Sequence, residues 1–287
     1  MNILIAGNTG VIGSYLNKQD RFANSLVLNS KIVDLTSKEE IFSYARKIEK
    51  FNVLIFLVGL AHSKGKNKHF SNFEKINYTS LKNLLYALEY HNKLPKKIIF
   101  SSTISVYGEN INTNVYSEST KPRPFSPYAK TKLMAENYLL DNYNSESWIL
   151  RFSPVYYDKF MLNINRRTKI LNKYFCVGSG EQNLSLCNIN NIIESINGIL
   201  NDNVPNGVYN ISDSKIYSYN DLLNIDKPNK IIRIPKVLIL LLYYFSKLIK
   251  NNFLKENSIK LYNDNIYPNN KINKFVKLSY SLNNIKN

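Results

Sequence analysis

Two segments hold residues that could do chemistry together. Ser101-Ser102-Thr103-Ile104-Ser105-Val106-Tyr107-Gly108 puts a threonine hydroxyl at the end of an apolar run. Ser126-Pro127-Tyr128-Ala129-Lys130-Thr131-Lys132 puts a phenol and an ammonium four residues apart. Ser126 reads as an N-cap and Pro127 as the first helical residue, so Tyr128 and Lys132 fall on one helix face. A free phenol has a pKa of about 10. A neighbouring cation and the positive end of the helix dipole both favour phenolate, which would move Tyr128 toward the range of a working base. Thr103 would end a buried strand and offer its hydroxyl to the same substrate oxygen. Tyr-x-x-x-Lys alone is a weak signal in a chain with 21 tyrosines, where a solvated helix face gives the same pattern.

The elements that must position this pair begin at the amino terminus. Ile3-Leu4-Ile5-Ala6 is apolar with no room for a polar face, and Gly7-Asn8-Thr9-Gly10-Val11-Ile12-Gly13 follows at once. A buried parallel strand turning tightly into a helix aims backbone N–H groups and a helix N-terminus at a pyrophosphate. The spacing is G-x-x-G-x-x-G, not the G-x-G-x-x-G of ordinary dinucleotide folds. Taken alone, these glycines could be a mere turn.

In order along the chain, these segments resemble the extended short-chain dehydrogenase/reductase superfamily, specifically its NAD-dependent epimerase/dehydratase branch acting on nucleotide sugars. Val33-Asp34-Leu35-Thr36 is similar to the family's adenine-contacting Asp-Leu. Val53-Leu54-Ile55-Phe56-Leu57-Val58-Gly59-Leu60-Ala61-His62 is similar to its "hLAA" strand. Asn77, the Thr103 strand, the Tyr128/Lys132 helix, Leu150-Arg151-Phe152-Ser153-Pro154-Val155-Tyr156 and Gly207-Val208-Tyr209-Asn210-Ile211 follow in the family's order. The resemblance implies Thr103, Tyr128 and Lys132 as catalytic residues. It implies cofactor contacts at Gly7, Thr9, Gly10, Val11, Ile12, Gly13, Asp34, Leu35, Leu57, Val58, Gly59, Asn77, Tyr128, Lys132, Pro154 and Val155. Asn77 is the weaker assignment, a support for the strand or for a proton-relay water.

The expected fold class is α/β, a Rossmann-type doubly wound parallel sheet with a smaller C-terminal substrate-binding lobe. Residues 1–155 and 188–212 are expected to form the NAD(P)-binding core, and 156–187 and 213–287 the lobe. The Asn190–Leu200 helix and Val208–Ile211 strand would return to the main sheet, and the Asn/Lys-rich tail from Asn263 would be partly frayed. The apolar run Val237–Phe245 after Pro235 is too short to span a bilayer, which takes about 20 residues. A buried helix of the lobe is favoured over an interfacial membrane helix with Lys247 and Lys250 at its edge.

Composition of 44% hydrophobic and 21% charged residues is ordinary globular usage. Cys176 and Cys187 form neither a metal spacing nor a disulfide framework, and His62, His69 and His91 have no ligand spacing, so no metal is expected. A chain that starts directly on a strand without a charged leader reads as cytoplasmic, with reduced thiols. The net charge of +17 invites a nucleic-acid partner, but the lysines are dispersed among Asn, Ile and Tyr with no basic block. A solvated basic surface suited to diphosphate substrates is the favoured reading, with no nucleic acid and a possible homodimer.

Departures from the family pattern narrow the chemistry. Where many members place an acid on the adenosine ribose, this chain has Leu28-Asn29-Ser30-Lys31. Without that carboxylate, and with Lys31 able to attract a 2′-phosphate, NADP is at least as plausible as NAD. Pro154 replaces a frequent substrate-contacting Asn, Tyr157 a usual glycine, and Asn190-Asn191 the family's Asp-Asp. The family's 4,6-dehydratases follow the Thr with Asp-Glu, an acid and a base for eliminating water, whereas Thr103 is followed by Ile104 and Ser105. What remains is hydride transfer at a secondary alcohol or ketone, most simply C4 of a nucleotide sugar, in surface-polysaccharide sugar biosynthesis. A 4-ketoreductase and a 4-epimerase are nearly even, with a slight tilt to the reductase. A catalytically idle dinucleotide-binding regulator or RNA-associated protein is the remote rival.

Overall fold

Alternation of short apolar runs with amphipathic segments produces a parallel sheet with helical connections. The computed structural model describes residues 1–61 and 69–285; His62 lies outside them. The strands β1 (Ile3–Ala6), β2 (Leu26–Leu28), β3 (Val53–Phe56), β4 (Lys97–Thr103) and β5 (Ser147–Phe152) join the strand Gly207–Ile211 in one six-stranded sheet. Its order is Gly207–Ile211, β5, β4, β3, β1, β2, and β1 pairs in parallel with both β2 and β3. The chain therefore leaves β1 toward one side and returns on the other, and a doubly wound sheet opens its ligand crevice at the carboxyl ends flanking that switch point. Both faces are covered. Every residue of β1, β3 and β5 is buried, which is why these strands read as unbroken apolar runs.

Two compact units divide the chain. The first comprises residues 1–103, 127–151 and 205–208. The helices α1 (Val11–Leu16), α2 (Lys38–Lys47), α3 (Phe70–Glu74), α4 (Ser80–Tyr90) and α5 (Pro127–Asn142) belong to it. Leu4, Ala6, Leu54, Phe56, Ile98 and Phe100 alternate along three strands and share a core with Ile41, Ala45, Leu81, Leu84, Leu88, Ala135 and Leu139 from the helices. Ser37 caps α2 by accepting from the Glu40 N–H, with Glu39 and Glu40 in the first turn and Arg46 and Lys47 in the last, the charge order a helix dipole favours.

The second unit takes in 104–126, 152–204 and 209–287, more of the chain than the lobe expected from sequence. Its helices are α6 (Leu162–Thr168), α7 (Ile189–Leu200), α8 (Tyr219–Asp226), α9 (Lys236–Leu248) and α10 (Asn252–Tyr262). Side-chain bonding explains why α7 falls here. Asn191 donates to Asp213 at 2.7 Å and to the Tyr280 carbonyl at 2.9 Å. The buried Asp213 carboxylate also accepts from Tyr156, Tyr217 and the Asn188 N–H at 2.6–2.9 Å, while burial pushes it up to about 6.

Two expectations need correction. The tail is not frayed through 285: Tyr267 and Ile272 are fully buried, and Tyr267 lies in a ring cluster with Tyr107 and Tyr116, donating to Glu109 at 2.9 Å. Asn-rich sequence hid these contacts because the anchors are isolated residues with no periodicity. Nor is Val237–Phe245 a buried helix. Of its residues only Ile239 and Tyr243 are fully enclosed, because the run supplies more apolar surface than one packing face can cover. Among the described residues no helix is long and apolar enough to cross a membrane.

Candidate active site

The turn after β1 is shaped by what a Cβ would meet. Gly7 has φ +90°, and a Cβ there would lie 2.8 Å from the Leu57 carbonyl carbon and the Val58 nitrogen, so only glycine lets the ends of β1 and β3 close up. A Cβ on Gly13 would stand 2.4 Å from the Gly7 oxygen, which is how α1 packs down on its own turn. Gly10 is different. It is the N-cap residue of α1, and its nearest neighbour to a Cβ is at 3.5 Å, ordinary contact distance. Thr9 and Gly10 are exposed at the tip, and Val11 and Ile12 present first-turn N–H groups that no earlier helical carbonyl can receive. Asn29, just past β2, donates to Asn8 Oδ1 at 2.8 Å and ties the turn to the adjacent strand end.

Thr103 ends β4, and Tyr128 and Lys132 lie on successive turns of α5, which begins at Pro127 as the sequence predicts. Thr103 and Tyr128 are hydrogen-bonded to each other. The expected lowering of the phenol pKa is reversed. Burial pushes Tyr128 up to about 12, with the Thr103 hydrogen bond opposing. Its side chain is only partly buried, but the hydroxyl itself is enclosed.

The reason is where the ammonium goes. Lys132 Nζ donates to the carbonyls of Ser101 at 2.8 Å and Val58 at 3.2 Å, and sits 4.6 Å from the Phe100 ring centroid. Burial pushes that amine down to about 7, held up in part by Glu136. Lys132 thus ties the end of β4 to the segment after β3, which with β1 flanks the crevice. A Cβ on Gly59 would lie 3.1 Å from Lys132 Nζ and 3.6 Å from Asn77 Oδ1, so Leu57, Val58, Gly59, Asn77 and Lys132 converge.

Asn77 is wholly buried in a π-helical stretch, Lys75–Thr79, between α3 and α4. Such a bulge re-aims one side chain inside a helix, and functional sites use it often. Asn77 Oδ1 accepts from the Leu60 N–H at 2.7 Å, and its amide donates to Thr131 Oγ1 at 3.0 Å. The segment after β3 is thereby pinned to α5 beside Lys132, a strand-supporting role.

Glu136 and Arg151, to which the motifs assign no role, are both central to this geometry. Glu136, one turn past Lys132, accepts from Arg151 Nη2 at 2.6 Å and from the Ser102 hydroxyl, all of them buried. The signal was available: an acid at i+4 from Lys132 on the core-facing stripe requires a cation inside.

The remaining expected contacts are more scattered. Asp34 is exposed and its carboxylate accepts from both the N–H and the hydroxyl of Thr36 at 2.8 Å, with Leu35 buried beside it. Lys31 is exposed. Pro154 and Val155 belong to the second unit, where Pro154 lines a small cavity with Glu109, Arg167, Lys260 and Tyr267. In that unit Asn210 accepts from Tyr107 at 2.6 Å and donates to the Tyr116 carbonyl at 2.9 Å, so the Tyr-Asn motif locks the segment that follows Thr103.

The glycine turn, the Lys132 bridge and the Gly59 approach fit a dinucleotide: phosphate at the exposed N–H groups, ribose near Lys132. The chain is 25% identical over 245 residues to N-acetyl-alpha-D-glucosaminyl-diphospho-ditrans,octacis-undecaprenol 4-epimerase of Escherichia coli O157:H7, covering 77% of this chain and 70% of that one. Its fold is similar to UDP-glucuronic acid 4-epimerase from Bacillus cereus in complex with NAD, with TM-score 0.69 and 22% identity, over 98% of this chain and 94% of that one. RMD from Pseudomonas aeruginosa complexed with NADPH matches with TM-score 0.68 and 15% identity, over 98% and 95%. Since the family model for the NAD dependent epimerase/dehydratase family matches residues 3–212, the chain belongs to that family.

Proposed function

We propose that this chain transfers hydride at C4 of a diphosphate-linked sugar, a nucleotide sugar in the first instance, with NAD or NADP as cofactor. The observation that carries this reading is the Thr103–Tyr128 hydrogen bond at the end of β4, with Lys132 buried one turn further along α5. A bound nicotinamide would accept and return the hydride. Tyr128 would exchange a proton with the sugar oxygen, and Thr103 would share a hydrogen bond with that oxygen. Lys132, held on the Ser101 and Val58 carbonyls, would orient the nicotinamide ribose. Thr103 is followed by Ile104 and Ser105, which have no carboxylate for 4,6-dehydration.

Epimerisation is the favoured form. The sequence tilts slightly toward a reductase, but the Escherichia coli relative is named a 4-epimerase and the Bacillus cereus fold neighbour another. In that form C4 would be oxidised and, after the keto sugar turned over in the site, reduced again on the opposite face. A 4-ketoreductase remains the second reading, favoured by one feature: Asn29 stands after β2 where a ribose-binding acid would select against a 2′-phosphate, and exposed Lys31 lies two residues on. The relative's name supports a polyprenyl-diphosphate-linked sugar as a second substrate class to test.

The test is to purify the protein, identify any co-purified dinucleotide, and assay UDP- and dTDP-sugars, their 4-keto forms and a lipid-linked sugar diphosphate. Interconversion of C4 epimers without added reductant supports the epimerase. Stoichiometric NADPH consumption with a 4-keto sugar supports the reductase. Failure of both activities across the panel overturns the proposal.

A further inference from the structure

Helix α9 divides its apolar residues between two faces. Ile239 packs into a core with Phe175 and Val177, and Tyr243 and Ser246 are buried along the same side. Val237, Leu238, Leu241, Tyr244, Phe245 and Leu248 are exposed, and their three- and four-residue spacings make them one continuous stripe. The stripe runs past the helix end through Ile249 to Phe253 in the first turn of α10. Leu248 is 80% exposed and Phe253 70%, so the hairpin tip is the least covered apolar part. An apolar patch of this extent marks an interaction surface.

The charge around the stripe says what the surface meets. From 227 to 255 the chain carries Lys227, Lys230, Arg233, Lys236, Lys247, Lys250 and Lys255, and no Asp or Glu. Lys247 Nζ lies 5.2 Å from the Tyr243 ring and 5.9 Å from that of Tyr244, at the edge of the apolar face. Apolar and aromatic residues on one face, flanked by lysines that can reach headgroups, are what holds a helix in the plane of a membrane interface. The carboxylate of the hairpin, Glu256 in α10, is buried and paired with Lys260 at 2.7 Å, so a symmetric contact with a second copy would set these cations against one another.

We propose that the α9–α10 hairpin docks this protein on an anionic lipid bilayer, the Val237–Leu248 stripe and Phe253 entering the interface and the flanking lysines meeting acidic headgroups. At 13 residues α9 lies in the surface and does not span it. This goes beyond the proposed activity and does not depend on it.

The test is co-flotation of the full chain with vesicles of phosphatidylcholine alone, or of phosphatidylcholine with phosphatidylglycerol. Binding is expected to the acidic vesicles, at least about tenfold stronger than to neutral ones and weakened by salt. Leu241→Glu with Phe245→Glu should abolish flotation while the circular dichroism spectrum is unchanged. Lys247→Gln with Lys250→Gln should weaken flotation by about 30-fold. No binding to acidic vesicles, or undiminished binding of the Leu241/Phe245 variant, would overturn the proposal. So would a sedimenting dimer that this variant dissociates, in a protein that does not float.

Discussion

Glu136 Oε2 and Arg151 Nη2 meet at 2.6 Å in the core beneath α5, one helical turn beyond Lys132. Glu136 also receives the Ser102 hydroxyl, so a single carboxylate fixes α5 against β4 next to Thr103 and against β5. Breaking a buried pair leaves an uncompensated charge. Glu136→Leu should therefore cost about 3–5 kcal/mol in urea unfolding. A loss below about 1 kcal/mol would show that the pair does not hold the helix.

Asn77 carries a different load. Asn77→Ala removes the acceptor of the Leu60 N–H and the donor to Thr131, at a stability cost of about 1–3 kcal/mol. Because the segment after β3 would then drift from Lys132, turnover should fall about 10- to 100-fold, with less change in KM for the sugar. Unchanged turnover would make Asn77 a packing residue alone.

The two glycines of the turn should separate folding from binding. Gly13→Ala forces a Cβ to within 2.4 Å of the Gly7 oxygen and should lower the melting temperature. Gly10→Val meets nothing closer than 3.5 Å at its Cβ, so the fold should survive while its branched side chain crowds the pyrophosphate and dinucleotide binding collapses. Unchanged NAD(P) affinity in the Gly10 variant would place the cofactor elsewhere.

Lys132 gives a pH dependence with a definite sign. Its folded value is depressed to about 7 by burial, against an ordinary 10.5. Between those values the unfolded chain holds a proton that the folded chain has released, so wild-type stability rises with pH across that window. Lys132→Met removes this titrating amine. The wild type should gain on this variant from about pH 7 to pH 9 in urea unfolding, and a constant difference would rule out the depressed amine.

The sheet and the glycine turn were legible because their signals are local. An apolar run ending at Ala6 and a helix starting at Pro127 each need only a few adjacent residues to identify. Motif spacing also brought Tyr128, Lys132 and Thr103 together. It misjudged their electrostatics, because the destination of the Lys132 ammonium depends on carbonyls at Val58 and Ser101, far away in sequence. The Glu136–Arg151 pair and the Tyr267 anchor were hidden for the same reason. In Val237–Phe245 the hydropathy was plain, but burial is a property of neighbours that the run itself does not encode.

Tyr128 is the proposed acid–base for hydride transfer at the sugar. The most direct measurement compares single-turnover reduction of bound dinucleotide by a nucleotide sugar in the wild type and in Tyr128→Phe, with dinucleotide affinity measured alongside. The variant should bind dinucleotide nearly as well and react at least about 10²-fold more slowly, the scale of a lost general acid–base. A Tyr128→Phe enzyme that keeps the wild-type rate would contradict the assignment and, with it, the proposed mechanism.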